Sequence, residues 1–351
     1  MNEGGVVTGQ PVVAEHNAPP SGGDNHDLAI ALDPVLHKQC NGRLGPIEWF
    51  SAPWQRGGAA TGFSTWRLED GTTIGVLVKL PVGPLEYRWT TALGRVGEGE
   101  WNEARALCLP TPRVVASGTQ LNGYDLGWII VERLHGPTLT TNFTEQAVVD
   151  LLAAAADFQK CAMACENLGP RPPTPTWHVT IEHARAAAKV GHLADAQKWN
   201  DVLKKVQKCL PTLIAKWEGR NVNAWCHGDL HPGNALRRRL PDGLGPEGRN
   251  GCVLVDLALV HPGHWVEDAL YLERQYWGHT ELLHGVKPLS CLAKFRRERG
   301  LPTDESYGDL AVVRRVLMAA CAPALVDREG NPKYLHAALE VIERFLPQAS
   351  R

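Results

Sequence analysis

Long apolar runs are missing from this chain: no stretch approaches the roughly 18–20 residues that a bilayer-spanning helix needs. Charge of one sign is not in excess either, with 36 Lys and Arg against 38 Asp and Glu for a net charge of −2. That balance speaks against a dedicated nucleic-acid or membrane-surface binder, which would carry a basic surplus. The first Lys or Arg is Lys38, preceded by Glu3, Glu15, Asp24 and Asp27, a layout unlike a secretory signal or a transit peptide. The nine cysteines are odd in number and contain no CxxC pair, so neither a disulfide framework nor a zinc ribbon is expected. HExxH and GxSxG are absent, and there is no internal repeat. The expectation is a soluble, cytoplasmic protein with free thiols and no nucleic-acid or membrane partner; oligomeric state is not legible.

What is present divides the chain by texture. Its 351 residues suffice for two moderate domains or one two-lobed fold. Residues 1–27 are rich in Gly, Pro, Asn and Asp and read as a mobile tail. From 28 to 135 the signals are those of a small sheet lobe. An apolar run at Ile47–Trp54 leads into the glycine-rich turn Gly57-Gly58-Ala59-Ala60-Thr61-Gly62. Strands over Phe63–Leu68 and Thr73–Leu80 flank a tight Glu69-Asp70-Gly71 turn. A helix is expected around Glu98–Leu109, ending at Pro110, and strands at Val114–Ser117 and Gly127–Val131. Residues 136–351 read as a larger helical lobe. Asn142 and Glu145 suggest a capping box for a helix reaching Cys165, and Trp199, Val202, Val206, Leu210, Leu213 and Trp217 mark one face of another. Short strands bracket loops near Ala224, Ala235 and Cys252, and about four amphipathic helices follow Trp265. The fold class is α+β with a crevice between the lobes.

The chemistry concentrates in Cys226-His227-Gly228-Asp229-Leu230-His231-Pro232-Gly233-Asn234, an acid and an amide five residues apart in a Gly- and Pro-containing loop. Twenty-two residues on, Val253-Leu254-Val255 delivers Asp256 at a strand end. Phosphoryl transfer from ATP asks for a group that orients the attacking hydroxyl and for oxygen ligands that hold Mg²⁺ on the phosphates. Asp229, Asn234 and Asp256 would supply them.

HGDLHPGN resembles the catalytic loop of the aminoglycoside phosphotransferase and choline kinase group, relatives of the protein kinases, and the resemblance extends over about residues 45–280. It implies a two-lobed protein-kinase-like fold, ATP and Mg²⁺ as cofactors, and transfer of the γ-phosphoryl group to a hydroxyl of a small molecule: an aminoglycoside, amino sugar, sugar or amino alcohol. Lys79, in Val76-Leu77-Val78-Lys79, resembles the lysine on the α- and β-phosphates. Glu103 resembles the helix glutamate that pairs with it, with Glu98 and Glu100 as competitors. The turn at Gly57, Gly58 and Thr61 would face the phosphates, backbone groups near Glu132 and Leu134 would bind adenine, and Asp229 would be the catalytic acid group. Asn234 and Asp256 would be the metal ligands. His227, His231 and Asp268 are either substrate contacts or braces of the loop, Asp268 resembling a residue that is usually a brace.

The departures narrow the reading. The glycine turn is not GxGxxG, and Asp256 is followed by Leu257-Ala258. The loop lacks the arginine that protein kinases place before the aspartate, so protein substrates are disfavoured. Between His261 and Gly300 five acids face six Lys and Arg, a balance that does not suit a polycation. His261 and His264 flank a Pro-Gly turn and are expected at the surface, the Arg237-Arg238-Arg239 run at a solvated edge, and Trp225, Trp265 and Trp277 in the core. The alternative function is a catalytically silent nucleotide-binding regulator, a pseudokinase.

Overall fold

The computed structural model describes residues 22–50, 58–97, 109–171, 173, 175–190, 193–238, 251–325 and 332–351. Gly57, Glu98, Glu100, Glu103 and Arg239, together with nearly all of the expected Glu98–Leu109 helix, lie outside them.

Alternation in the third strand organises the small lobe. Along β3 (Thr73–Val82) Val76, Val78, Leu80 and Val82 are buried, while Leu77 and Lys79 take the positions between them. β3 is the middle of a five-stranded antiparallel sheet of order β1-β2-β3-β5-β4, with β1 at Glu48–Phe50, β2 at Ala60–Arg67, β4 at Val114–Gly118 and β5 at Gly127–Glu132. The register sets Thr61 beside Lys79 on one side and Ile129 beside it on the other. Helix α1 (Gly22–Gln39) closes one face of the sheet, burying Ala29 and Leu36, with Cys40 just beyond its end, against Val76, Val78 and Leu80. The region read as a tail therefore ends earlier than residue 27: its last six residues start this helix, whose apolar positions recur every three or four residues at Ala29, Leu32, Leu36 and Cys40.

A second unforeseen helix, α2 (Pro84–Gly94), follows β3 directly, with Pro84 at its start, where a missing N–H costs nothing. It sends Trp89 into the core of the large lobe, 4.6 Å from the ring of Trp225.

That large lobe is built on α3 (Glu145–Cys165), α4 (Trp177–Lys189), α5 (Ala196–Glu218), α6 (Val266–Gln275), α7 (Pro288–Glu298), α8 (Tyr307–Cys321) and α9 (Pro332–Ala349). The cap of α3 is Thr144, whose side chain accepts from Ala147 N, two residues later than the expected capping box at Asn142. β6 (Ala224–Cys226) pairs with β9 (His261–Gly263), and β7 (Ala235–Arg237) with β8 (Cys252–Leu254). Both ladders lie in the large lobe. The fold is two-lobed and α+β, as the sequence implies. No described helix is long and apolar enough to cross a membrane. The eight cysteines among the described residues are all free.

Two surface expectations are reversed, at Arg238 and His264, while Arg237 and His261 stay partly exposed. Arg238 is buried and donates to Glu132 Oε1 and to the carbonyls of Leu109 and Thr111. Arg237 pairs with the buried Asp150 at 2.5 Å. His264 is buried against Asp304 at 2.6 Å, and half-buried His261 faces Glu267. Each has a carboxylate partner, which is what lets a polar side chain leave water. Trp225, Trp265 and Trp277 are buried in the core.

Candidate active site

The Asp229 loop is held from three sides. Gly228 sits at φ +83°, and a Cβ there would come within 2.2 Å of the Leu259 carbonyl oxygen, so only glycine fits both the angle and the space. Buried Asp268, on the first turn of α6, accepts from the backbone N–H of His227 and of Gly228 at 3.1 Å each and from Gln159 Nε2 at 2.9 Å. Gln159 in turn accepts from Arg296 at 2.6 Å, so one amide relays an acid to a fully buried guanidinium. His227 is the third support. Its Nδ1 accepts from Asp229 N–H, so Nε2 carries the proton and donates to the Val255 carbonyl at 3.1 Å. Burial pulls this imidazole below its usual pKa despite the carboxylates of Asp268, Asp229 and Asp256 around it. It is a neutral strut between the Asp229 loop and the strand that leads to Asp256. His227 and Asp268 thus brace the loop.

Pro232 and Gly233 then form one short 3₁₀ turn (Pro232–Asn234) that folds Asn234 back on the aspartate. Asn234 Nδ2 donates to the Asp229 carbonyl at 3.1 Å and to its Oδ2 at 2.9 Å. His231 Nδ1 accepts from Gly233 N–H, which leaves Nε2–H facing the same Oδ2 at 3.5 Å. The other carboxylate oxygen, Oδ1, accepts from the Tyr271 hydroxyl at 2.5 Å. Burial pushes the Asp229 carboxyl up, but the bonds and charge of His231, with Tyr271 and His227, outweigh it and hold the group below its ordinary value. Asp229 is therefore a charged, firmly held acceptor of hydrogen bonds.

Asp256 follows β8 by two residues and is fixed to the same loop, because Val255 N–H donates to the Asn234 carbonyl at 3.0 Å. Its backbone is left-handed, φ 63° and ψ 69°, a conformation that costs a non-glycine residue roughly 1–2 kcal/mol and that Asp tolerates better than most. Across the crevice, Lys79 Nζ lies 2.5 Å from Glu86 Oε1. Burial pulls the ammonium down, yet the charges of Glu86 and then Asp256 raise it above its usual value. The sequence reading gave this pairing to Glu103, with Glu98 and Glu100 as alternatives. In the structure Glu86 makes it, from the first turn of α2, seven residues after the lysine.

Of the linker residues, Glu132 is committed: its carboxylate holds Arg238 and Arg113 N–H, and its own N–H goes to the Arg113 carbonyl. Among the described residues neither the N–H nor the carbonyl of Leu134 has a hydrogen-bond partner. Gly58 adopts φ +92° with open space around it, and Thr61 lies nearly buried beside Lys79.

A hard dication would fit what these residues leave open. Asn234 has spent its amide nitrogen on Asp229, so its Oδ1 remains as a ligand, and the exposed Asp256 carboxylate has no hydrogen-bond partner among the described residues. A second grouping, Cys226, His261 and Glu267, also brings three ligand atoms within 4.8 Å of one another. It does not suit a cation. Glu267 already pairs with Arg220 at 3.1 Å and Arg314 at 3.9 Å, and burial holds the Cys226 thiol well above its usual pKa.

Sequence reasoning missed Glu86, Tyr271, Gln159, Arg296 and Arg238. Pro84 as a helix start and the position of Tyr271 one turn after Asp268 were the available signals.

Several solved structures resemble the chain. An aminoglycoside phosphotransferase from Alicyclobacillus acidocaldarius shares 15% identity at a TM-score of 0.48, covering 86% of this chain and 89% of that one. A spectinomycin phosphotransferase crystallised with ADP and spectinomycin shares 11% identity at 0.49, covering 87% and 93%. Choline kinase from Cryptosporidium parvum shares 9% identity at 0.48, covering 92% and 95%. No curated protein matches the chain in sequence. The sequence profile of the phosphotransferase enzyme family matches residues 62–300, from the second strand of the sheet lobe to the end of α7, and the chain belongs to that family.

Proposed function

We propose that the protein transfers the γ-phosphoryl group of ATP to a hydroxyl of a small molecule. The observation that carries this reading is the meeting of a paired cation from the sheet lobe, Lys79 with Glu86, and the oxygen donors of Asp229, Asn234 and Asp256 across one crevice. Lys79 would hold the α- and β-phosphates, kept in place by Glu86. Asn234 Oδ1 and Asp256 would hold Mg²⁺, which when bound supplies charge neutralisation on the phosphate oxygens. Leu134, with its backbone groups open, takes the adenine role that Glu132 cannot share through its committed N–H. Gly58 and Thr61 border the phosphates, and His231 steadies Asp229.

Asp229, charged and fixed, accepts the hydrogen bond of the acceptor hydroxyl and aims its oxygen at the γ-phosphorus. The bond from that oxygen to phosphorus forms as the bond to the bridging oxygen of ADP breaks. The transition state is loose and the acceptor proton passes late to the Asp229 carboxylate, which returns it to solvent, so orientation matters more than basicity.

The acids of the large lobe bear on the acceptor. Glu267 is held by two arginines, Asp268 by backbone N–H groups, Glu273 by Arg315 at 2.6 and 2.7 Å, Asp304 by His264 and Asn223, and Asp157 by Arg299. Among these described acids little carboxylate remains for a polycationic ligand, and the reading favours a neutral or singly charged acceptor: a sugar, amino sugar or amino alcohol. The test is ADP release from MgATP over a panel of hexoses, hexosamines, choline-like alcohols and aminoglycosides. Turnover with one class, abolished in Asp229→Ala, supports the proposal. Stabilisation by ATP with no turnover on any acceptor would replace it with a silent nucleotide-binding regulator.

A further inference from the structure

Helix α6 grips the Asp229 loop twice from one face. Asp268 takes the backbone N–H groups of His227 and Gly228, and three residues later, one turn along, Tyr271 reaches the side chain of Asp229 itself. The first grip sets the path of the chain. The second acts on the carboxylate.

A carboxylate on a short side chain turns freely about χ2, a torsion with broad minima. Asn234 and His231 both approach Oδ2, and two donors on one oxygen leave the other free to swing about it. The Tyr271 hydroxyl, 2.5 Å from Oδ1, supplies the missing anchor on the opposite oxygen. With three donors placed, the carboxylate plane is defined and one lone-pair direction on Oδ1 is left for an incoming hydroxyl. The phenol is itself held: the Arg274 guanidinium lies 5.5 Å from the centre of its ring. Burial, followed by the charge of Asp229, pushes the phenol well above its usual pKa, so it stays a donor throughout the physiological range.

We propose that Tyr271 is a positioning residue for phosphoryl transfer, fixing the rotation of the Asp229 carboxylate so that the acceptor hydroxyl meets Oδ1 along a single direction. The proposal rests on the phosphotransfer reading for its catalytic consequence and on the Tyr271–Asp229 contact for its physical content, and the two are tested separately.

Tyr271→Phe keeps the ring and removes only the donor. With MgATP and water as the acceptor, ADP release in this variant falls about 10–100-fold in kcat, the cost of a mis-aimed group, while KM for ATP stays within about twofold because Lys79 and Glu86 are untouched. Its melting temperature stays close to that of the parent. In an Asp229→Ala background the same substitution has no further effect on kcat, since there is no carboxylate left to orient. An unchanged kcat, a fall in kcat matched by a fall in melting temperature, or a full multiplicative loss in the Asp229→Ala background overturns the proposal. Should the parent protein show no ADP release with water or with any acceptor of the panel, the phosphotransfer reading fails, and the contact is still decided by proton NMR. A short phenol–carboxylate bond gives a hydroxyl resonance downfield of the amide envelope that disappears in both Tyr271→Phe and Asp229→Ala. A downfield region identical in all three proteins overturns the proposal regardless of activity.

Discussion

Asp268→Asn isolates the brace of the Asp229 loop with the smallest change of shape. The carboxylate accepts three hydrogen bonds in a buried setting: two from backbone N–H groups at 3.1 Å and one from Gln159 at 2.9 Å. An asparagine has one acceptor oxygen and brings two donors of its own, so at least one of the three N–H groups loses its acceptor and faces another donor. Loss of a bond to a charged group, with its donor left orphaned, costs roughly 2–4 kcal/mol. At about 2.1 cal/mol/K per residue, a chain of 351 residues loses about 1.4 °C per kcal/mol, so calorimetry should show a fall of roughly 3–5 °C. The same variant should lose most of its ADP release, because the loop that carries Asp229 and Asn234 loses its brace. Melting within about 1 °C of the parent together with intact turnover would show that Asp268 does not hold the loop.

Two further outcomes follow from buried pairs. Lys79→Met strands the Glu86 carboxylate in a site where it is 11% exposed, and breaking such a pair costs about 3–5 kcal/mol in urea unfolding. Adding Glu86→Gln should restore most of that stability without restoring ATP affinity, which separates the structural role of the pair from its binding role; recovery of both would contradict the assignment of Lys79 to the phosphates. Partial burial lowers the pKa of His261, but the hydrogen bond and charge of Glu267 outweigh this and raise it above the ordinary value near 6.5. The folded chain thus binds this proton more tightly than the unfolded one. The stabilisation it gives is complete below about pH 6.5 and is lost as pH rises through the folded value. The stability gap between the parent and His261→Gln should therefore be widest in mild acid and narrow above neutrality, and a gap that widens with pH would refute the pairing.

How far the sequence reached depends on where each constraint lies. The Asp229 loop was legible because its Gly, Pro and Asn act on neighbours within a few residues: Gly228 for the turn, Pro232 and Gly233 for the return of Asn234. Lys79 was legible only through the family resemblance, since a lysine closing Val76-Leu77-Val78 would by itself read as solvated. Its partner was not, since Glu86 sits on a short helix whose apolar signal is only Trp89 and Leu93 and whose start is marked by Pro84. Glutamates farther along, on a stretch with helical texture, looked better suited. Arg238 was misread because charge runs are usually solvated, and only the spatial return of Glu132 to the β7 strand explains its burial. Tyr271 had no sequence signal apart from its spacing of three from Asp268, which becomes meaningful once that aspartate is known to face the loop.

On the proposed reading Asn234 and Asp256 would hold a metal against a triphosphate that Lys79 holds from the other side. Titrating ATP into the protein by calorimetry, with and without Mg²⁺, tests it most directly. The parent should bind ATP more tightly with Mg²⁺ than without; Asp256→Ala should lose that metal-dependent gain and keep the metal-free binding, and Lys79→Met should weaken both. A metal-dependent gain that survives in Asp256→Ala would contradict the account.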